Sequence, residues 1–264
     1  MKKYLSYFYV SFREFFTYKA DYLVGIIFSL IYFFIYFSLW KAVFASNGQT
    51  DIGNYTLANT ITYYFVISFI FRLDVTDFIY LSNEIWNGTF TNKLVKPWNA
   101  VYCYLLIALS QVAIEILLYI PFAIFIFIFA ASYIILPTLT MALCFIVTIL
   151  LGIFLSFAIN FCLHALTFRL GDQEGNINLV SFIISFLAGS IFPLTFLPGA
   201  LKTFFMALPF RYLFDFPANV FMNKVPLNEV LIGWVQILGW GILFWLIFAI
   251  IYKKGLKIYS GTGR

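Results

Sequence analysis

TLTMALCFIVTILLGIFLSFAINFCLHAL, residues 138–166, contains no Asp, Glu, Lys or Arg. A helix rises about 1.5 Å per residue, so roughly 20 apolar residues cross a hydrocarbon layer about 30 Å thick. This run is long enough to cross, and it sets the reading of the whole chain. Similar runs cover about 24–44, 56–72, 100–131, 176–192 and 230–252. The sequence therefore predicts an all-α membrane protein with six transmembrane helices. Composition agrees: 63% of the 264 residues are hydrophobic and only 10% are charged, against roughly one-quarter charged in soluble domains. Aromatic residues reach 22%, with 35 Phe and 18 Tyr, more than a water-soluble core of this size could bury.

Each run has its own character. The one at 56–72 carries Thr56, Asn59, Thr60, Tyr63 and Ser68 near helical spacing, so one face should turn from lipid. The run at 100–131 holds Pro121, which removes a backbone donor and should kink or loosen the helix. RLGDQEGN, with Gly171 and Gly175, supplies a tight turn after residue 166. Between the last two runs lie Pro193, Pro198, Pro209, Pro217 and Pro226, too many for one helix. The pieces 199–208 and 210–216 are too short to cross, so they should form re-entrant or interface-parallel helices.

The N-terminal residues, MKKYLSYFYVSFREFFTYKAD, lack the form of a cleavable signal because Arg13, Glu14 and Lys19 interrupt the apolar core. On a helical wheel Lys2, Ser6, Arg13 and Thr17 oppose Tyr4, Leu5, Phe8, Phe12 and Phe15. Residues 1–22 therefore read as an interfacial helix and 23–264 as the transmembrane domain. No soluble domain is expected between the runs. Twelve of the 16 Lys and Arg fall on the side that holds both termini; Lys41, Lys202, Arg211 and Lys224 fall on the other. This asymmetry predicts a multi-pass cell-membrane protein with both termini cytoplasmic and the proline-rich segment extracytoplasmic.

Several chemistries are poorly served. No GxxxxGK[ST] cradles a phosphate, so any ATP hydrolysis would belong to a separate subunit, and the chain itself should not be an enzyme. His164 is the sole histidine and is read as a packing or interfacial residue. Cys103, Cys144 and Cys162 are read as buried free thiols. The net charge of +5 is too scattered for nucleic acid. No cofactor is expected in this chain.

Polar residues inside the runs are the remaining candidates. Glu115 lies at mid-depth, with Gln111 one turn before it, where a charge costs about 3 kcal/mol unless partnered. Two readings stay open: Asn59, Gln111 and Glu115 face a translocation path or partner subunit, or Glu115 is a protonated carboxyl bonded between helices. Asn160 is read as a helix-to-helix hydrogen-bonding residue. The link LDVTDFIYLSNEIWNGTFTNKLVKPWNA mixes charge and aromatics and suits a short amphipathic helix plus a turn. On one continuous helix Trp86, Phe90 and Leu94 would form an apolar stripe, with Gly88 a mild interruption.

This link resembles the permeases of the type-2 ABC exporter family, in the six-span branch that pairs with a separate ATPase. The matching residues are Asn87-Gly88-Thr89-Phe90 and Leu94-Val95-Lys96-Pro97. Two further stretches are similar to the family: Gly189-Ser190-Ile191-Phe192-Pro193-Leu194 through Phe216-Pro217, and Tyr252-x-x-Gly255-Leu256-x-x-Tyr259-Ser260-Gly261-x-Gly263. Trp86 and Asn87 stand where family members often have a basic residue.

The resemblance implies that Glu84 to Pro97, including Trp86, Gly88, Phe90, Leu94 and Lys96, is a coupling helix seated on an ATP-binding subunit. It implies further that Pro193, Pro198, Pro209, Arg211 and Pro217 mark the family's hairpin. Two ATP-binding subunits carrying ATP and Mg, and a second permease, identical or homologous, would complete the pathway. The aromatic, weakly charged helices suggest a hydrophobic or amphiphilic cargo such as a lipid, drug or peptide, moved by alternating access. Other classes stay in view: a membrane-embedded lipid-modifying enzyme using Glu115 and His164, or a channel or immunity protein needing no ATPase.

Overall fold

The computed structural model describes residues 13, 17, 19–48, 50–73, 80–97, 99–171 and 174–261. The N-terminal interfacial helix and Gly263 therefore lie outside the described residues, apart from Arg13 and Thr17, which are helical and exposed. Four helices are long and apolar enough to cross a membrane, within Tyr22–Ser46, Ala100–Ala130, Leu139–Leu170 and Leu227–Ile258. This is an all-α, multi-pass membrane fold.

The chain opens with α1 (Lys19–Asn47) and a tiny antiparallel hairpin, β1 (Asp51–Ile52) and β2 (Tyr55–Thr56). Gly53 and Asn54 both take positive φ, as the two-residue turn demands. This hairpin has no counterpart in the sequence reading. Next comes α2 (Leu57–Arg72), capped by the Thr56 hydroxyl, which accepts from the Asn59 amide. At 16 residues α2 is shorter than a full crossing requires.

Two short helices follow, α3 (Leu81–Trp86) and α4 (Thr91–Leu94), then α5 (Ala100–Ala130), capped by Asn99. Pro121 sits inside α5 without ending it. Further on stand α6 (Leu139–Ala165), capped by Thr138, then α7 (Thr167–Leu170), and α8 (Glu174–Leu187), which has 14 residues and is again short. The proline-rich segment contains a 3₁₀ turn at Leu194–Phe196, α9 (Gly199–Ala207), a second 3₁₀ turn at Pro209–Tyr212 and α10 (Asp215–Phe221). The last helix is α11 (Leu227–Ile258).

The proline-rich segment is broken into short helices whose bounds differ from those expected. The 199–208 piece appears as α9, introduced by Pro198. The 210–216 piece does not exist as a unit, because the chain turns at 209–212 and a new helix begins at Asp215 with Pro217 inside its first turn. A proline there forfeits only an N–H that the helix would leave unpaired.

Side-chain shape explains how the helices meet. The most extensive pairing is α6 against α11, and glycines of α11 let rings of α6, α7 and α10 approach its backbone. A Cβ on Gly241 would come within 2.3 Å of the Phe154 ring, one on Gly233 within 2.3 Å of Phe216, and one on Gly255 within 2.4 Å of Phe168. Trp234 Nε1 donates to Thr148 Oγ1 at 2.9 Å across the same pair. By contrast α1 exposes Leu23, Ile27, Phe28, Ile31 and Ile35 and turns residues such as Tyr32, Phe33, Tyr36, Trp40 and Phe44 inward. All three cysteines are buried within helices as thiols and not in disulfides.

Candidate functional site

Three segments quoted for their family resemblance meet at the two ends of the bundle. At one end, α3 and α4 pack beside α7 and the last turns of α11. Phe90 is completely buried, with its ring centroid 5.8 Å from Phe168, 6.4 Å from Tyr252 and 5.6 Å from Tyr259. Ser82 and Thr167 share a 2.6 Å hydrogen bond, and the Thr91 and Tyr259 hydroxyls lie 3.3 Å apart. Gly171, at φ +80, gives room to Trp86: a Cβ there would sit 3.2 Å from the indole.

The continuous Trp86, Phe90, Leu94 stripe is therefore corrected. Gly88 takes φ 75, a left-handed conformation that ends the helix, and the chain restarts at Thr91. Phe90 faces the chain's own core, Trp86 is half-buried beside Gly171, and Leu94 is 43% exposed with Val95 at 77%. Lys96 and Pro97 are also exposed.

The turn is braced from below. The Glu84 carboxylate pairs with Lys93 Nζ and accepts a 2.6 Å hydrogen bond from the Tyr104 hydroxyl of α5. Lys93 Nζ lies 3.8 Å from the centroid of the Tyr104 ring. Glu84 thus holds α3, α4 and α5 together, and the exposed tip Leu94-Val95-Lys96 stands on a rigid base.

The translocation-path candidates do not converge. The Asn59 amide groups bond back to Thr56 Oγ1 in the first turn of α2, away from the other two. Gln111 accepts a hydrogen bond from the Tyr22 hydroxyl of α1. Glu115 pairs with Arg72 at the end of α2, with 8% of its side chain exposed against 16% for the arginine. Arg72 in turn lies against Gly25 of α1, where a Cβ would meet its Nη1 at 2.6 Å. The carboxyl bonded between helices is thus an ion pair joining three helices. Sequence reading missed the partner because Arg72 was placed with the cytoplasmic charges.

At the other end, tyrosines of α1 and α2 hold the start of the proline-rich segment. The hydroxyls of Tyr63, Tyr32 and Tyr64 donate to the carbonyls of Gly189, Ser190 and Ile191. Gly189 takes φ +88, and a Cβ would approach the Tyr63 oxygen and Asp215 Cβ at 3.0 and 3.1 Å. Asp215 is the hub. Its Oδ1 accepts from the Leu194 N–H at 3.1 Å and lies 3.4 Å from the Tyr63 hydroxyl, while its N–H donates to the Ala188 carbonyl. Asn219 accepts from Tyr55 and donates 2.8 Å to the Asp215 carbonyl. Lys224 donates to the Asn54 carbonyl and lies over the Tyr55 ring. Arg211 covers Tyr212 and Phe216. Pro193 is buried beside this hub. Sequence reading passed over Asp215; a lone carboxylate in the apolar string FDFPAN was the available signal.

Burial, the leading cause, pushes the Asp215 carboxyl up to about 6 from 3.8, despite the Leu194 N–H, the Arg211 charge, Tyr63 and Asn219. The folded state therefore holds a proton that the unfolded chain has released. Its stabilising effect is complete below about pH 4 and is lost as pH rises towards about 6. Thermal midpoints in detergent should fall across that window by an amount that Asp215→Asn removes. A slope unchanged in the variant would assign the dependence elsewhere.

Among the described residues no group of three or more His, Cys, Asp or Glu is placed to hold a metal ion. A family model described as ABC-2 family transporter protein matches residues 8–263, so the chain belongs to that family of membrane transporter components. No curated protein matches it.

Proposed function

We propose that the chain is the permease subunit of an ATP-driven exporter, working with ATP-binding subunits that hold ATP and Mg and with a second permease. Permeases of the family work in general with an ATP-binding subunit. The observation that carries the proposal is the braced tip at Leu94-Val95-Lys96. An exposed apolar pair beside a lysine, mounted on Glu84, Lys93 and Tyr104, suits a partner groove better than water. The link from tip to bundle is short. Leu73 follows Arg72 directly and packs in the same core as Phe90, so force on the tip reaches α2, α5 and α11 together.

In this reading α2 and α8 complete six passes although each is short. Thr62 of α2 bonds the Tyr133 carbonyl and Ile135 N–H beyond α5, while Arg72 meets α5 nearer its start. The excess of Lys and Arg puts both termini and the 81–97 segment in the cytoplasm; the proline-rich segment enters from the outside, and its Phe214 reaches Phe71 near the inner end of α2. The cargo is hydrophobic or amphiphilic and moves by alternating access of a cavity shared with the second permease. The enzyme reading loses ground because Glu115, one of its two candidate groups, is committed to Arg72.

The test is to purify the chain together with a cognate ATP-binding subunit and reconstitute both in lipid. A stable complex with cargo-stimulated ATP hydrolysis is expected. If the chain neither retains that subunit nor alters its hydrolysis, the permease reading falls.

A further inference from the structure

A cleft lies between α6 and α8, beside the contacts already described for Thr148 and Tyr212. Thr148, Gly152, Ser156 and Asn160 recur every fourth residue and so rise in one line along α6. Ser181 and Ser185 face them from α8, one turn apart, and the 212–217 stretch and the end of α2 close the remaining sides. The cleft is partly open, and its empty space of about 620 Å³ includes the open region at its mouth.

Five properties distinguish this cleft from ordinary packing. None of its lining residues is charged. Asn160 is 5% exposed, and its Nδ2 donates to the Ser156 carbonyl at 3.0 Å and lies 3.2 Å from the Ser156 hydroxyl. The Ser181 hydroxyl oxygen is buried, yet has no hydrogen-bond partner among the described residues. Gly152 is not demanded by packing, since a Cβ would stand 3.5 Å from the Tyr212 carbonyl, an ordinary contact. Its missing side chain leaves space open in the middle of the cleft. The α8 wall is also lightly held, packing chiefly on the 209–212 turn while Leu179, Phe182 and Ile183 face outward.

We propose that this cleft binds an uncharged amphiphile whose apolar body lies along Ile149, Ile153 and Ile184 and whose hydroxyl or carbonyl head meets Ser156, Asn160 and Ser181. The walls supply hydrogen bonds without a counter-ion. A charged head buried here would lose its hydration for nothing, whereas a neutral one satisfies the Ser181 hydroxyl. Only the role of the ligand as cargo rests on the permease reading; binding itself needs no ATPase.

The experiment uses the full chain in nanodiscs with a photoactivatable sixteen-carbon alcohol, compared with the matching carboxylate and trimethylammonium compounds. The alcohol should label saturably on peptides spanning 149–160 and 181–185. Ser181→Ala and Ser156→Ala should each weaken that labelling by about 3- to 10-fold, the worth of one hydrogen bond. Gly152→Leu should fill the cleft and reduce labelling about tenfold or more; should it fail to fold, the serine variants carry the test. Equal labelling by the charged compounds, labelling confined to the outward residues of α8, or serine variants matching wild type would each overturn the proposal. Because no ATP-binding subunit is present, failure here and failure of the permease reading are separate results.

Discussion

Glu115→Gln is expected to lower the thermal midpoint of the purified chain sharply, and more than Arg72→Gln does. Both side chains are mostly buried between helices and face each other. Removing one member of a buried pair costs about 3–5 kcal/mol, because the survivor keeps an uncompensated charge. The survivors differ. A carboxyl left alone can neutralise itself by taking up a proton, whereas a guanidinium cannot release one in a protein. Arg72 would also keep its guanidinium beside Gly25 of α1 with its partner gone. The double variant Arg72→Gln, Glu115→Gln should recover most of the loss, since two neutral amides can bond across the same gap. The measurement is a double-mutant cycle on thermal midpoints in one detergent. Single effects that simply add would show that the pair is not coupled, and a wild-type midpoint for Glu115→Gln would remove it as a structural tie.

That ion pair also shows what one-dimensional reading can reach. Glu115 stands out because a carboxylate at mid-depth violates the chemistry of hydrocarbon. Its partner could not be read off, because Arg72 lies 43 positions earlier at a helix end, where arginine is ordinary. Long apolar runs announce crossing helices through composition alone, so α1, α5, α6 and α11 were legible. The tyrosine contacts with Gly189, Ser190 and Ile191 join residues more than a hundred positions apart and depend on three-dimensional proximity. Helical periodicity misled at one place. The spacing of Trp86, Phe90 and Leu94 fits a helix, but one glycine in the left-handed region outweighs that regularity, since the chain reverses there and sends Phe90 inward.

The break at Gly88 divides the coupling segment into a structural half and a contact half, and the two should respond oppositely to substitution. Phe90→Ala empties a fully buried ring site among Phe168, Tyr252 and Tyr259. Such truncations cost about 3–5 kcal/mol, so the yield of folded chain should collapse before any question of partners arises. Val95→Asp, at 77% exposed, removes no internal contact and should leave the thermal midpoint within about 0.5 kcal/mol of wild type. An aspartate there would nevertheless place a charge against an apolar partner groove, and losses at such anchors reach about 2 kcal/mol or more, roughly thirtyfold in affinity. Trp86→Ala should fall between, because the indole both supports Gly171 and remains half-exposed. The readouts are the thermal midpoint of the chain alone, then co-purification of the ATP-binding subunit and its stimulated ATP hydrolysis. If Val95→Asp retains the subunit and full stimulation, the tip is not the contact. The turn at Gly171, on the same end and touching Trp86, then becomes the surface to test, because a partner reaching that end must meet one of the two.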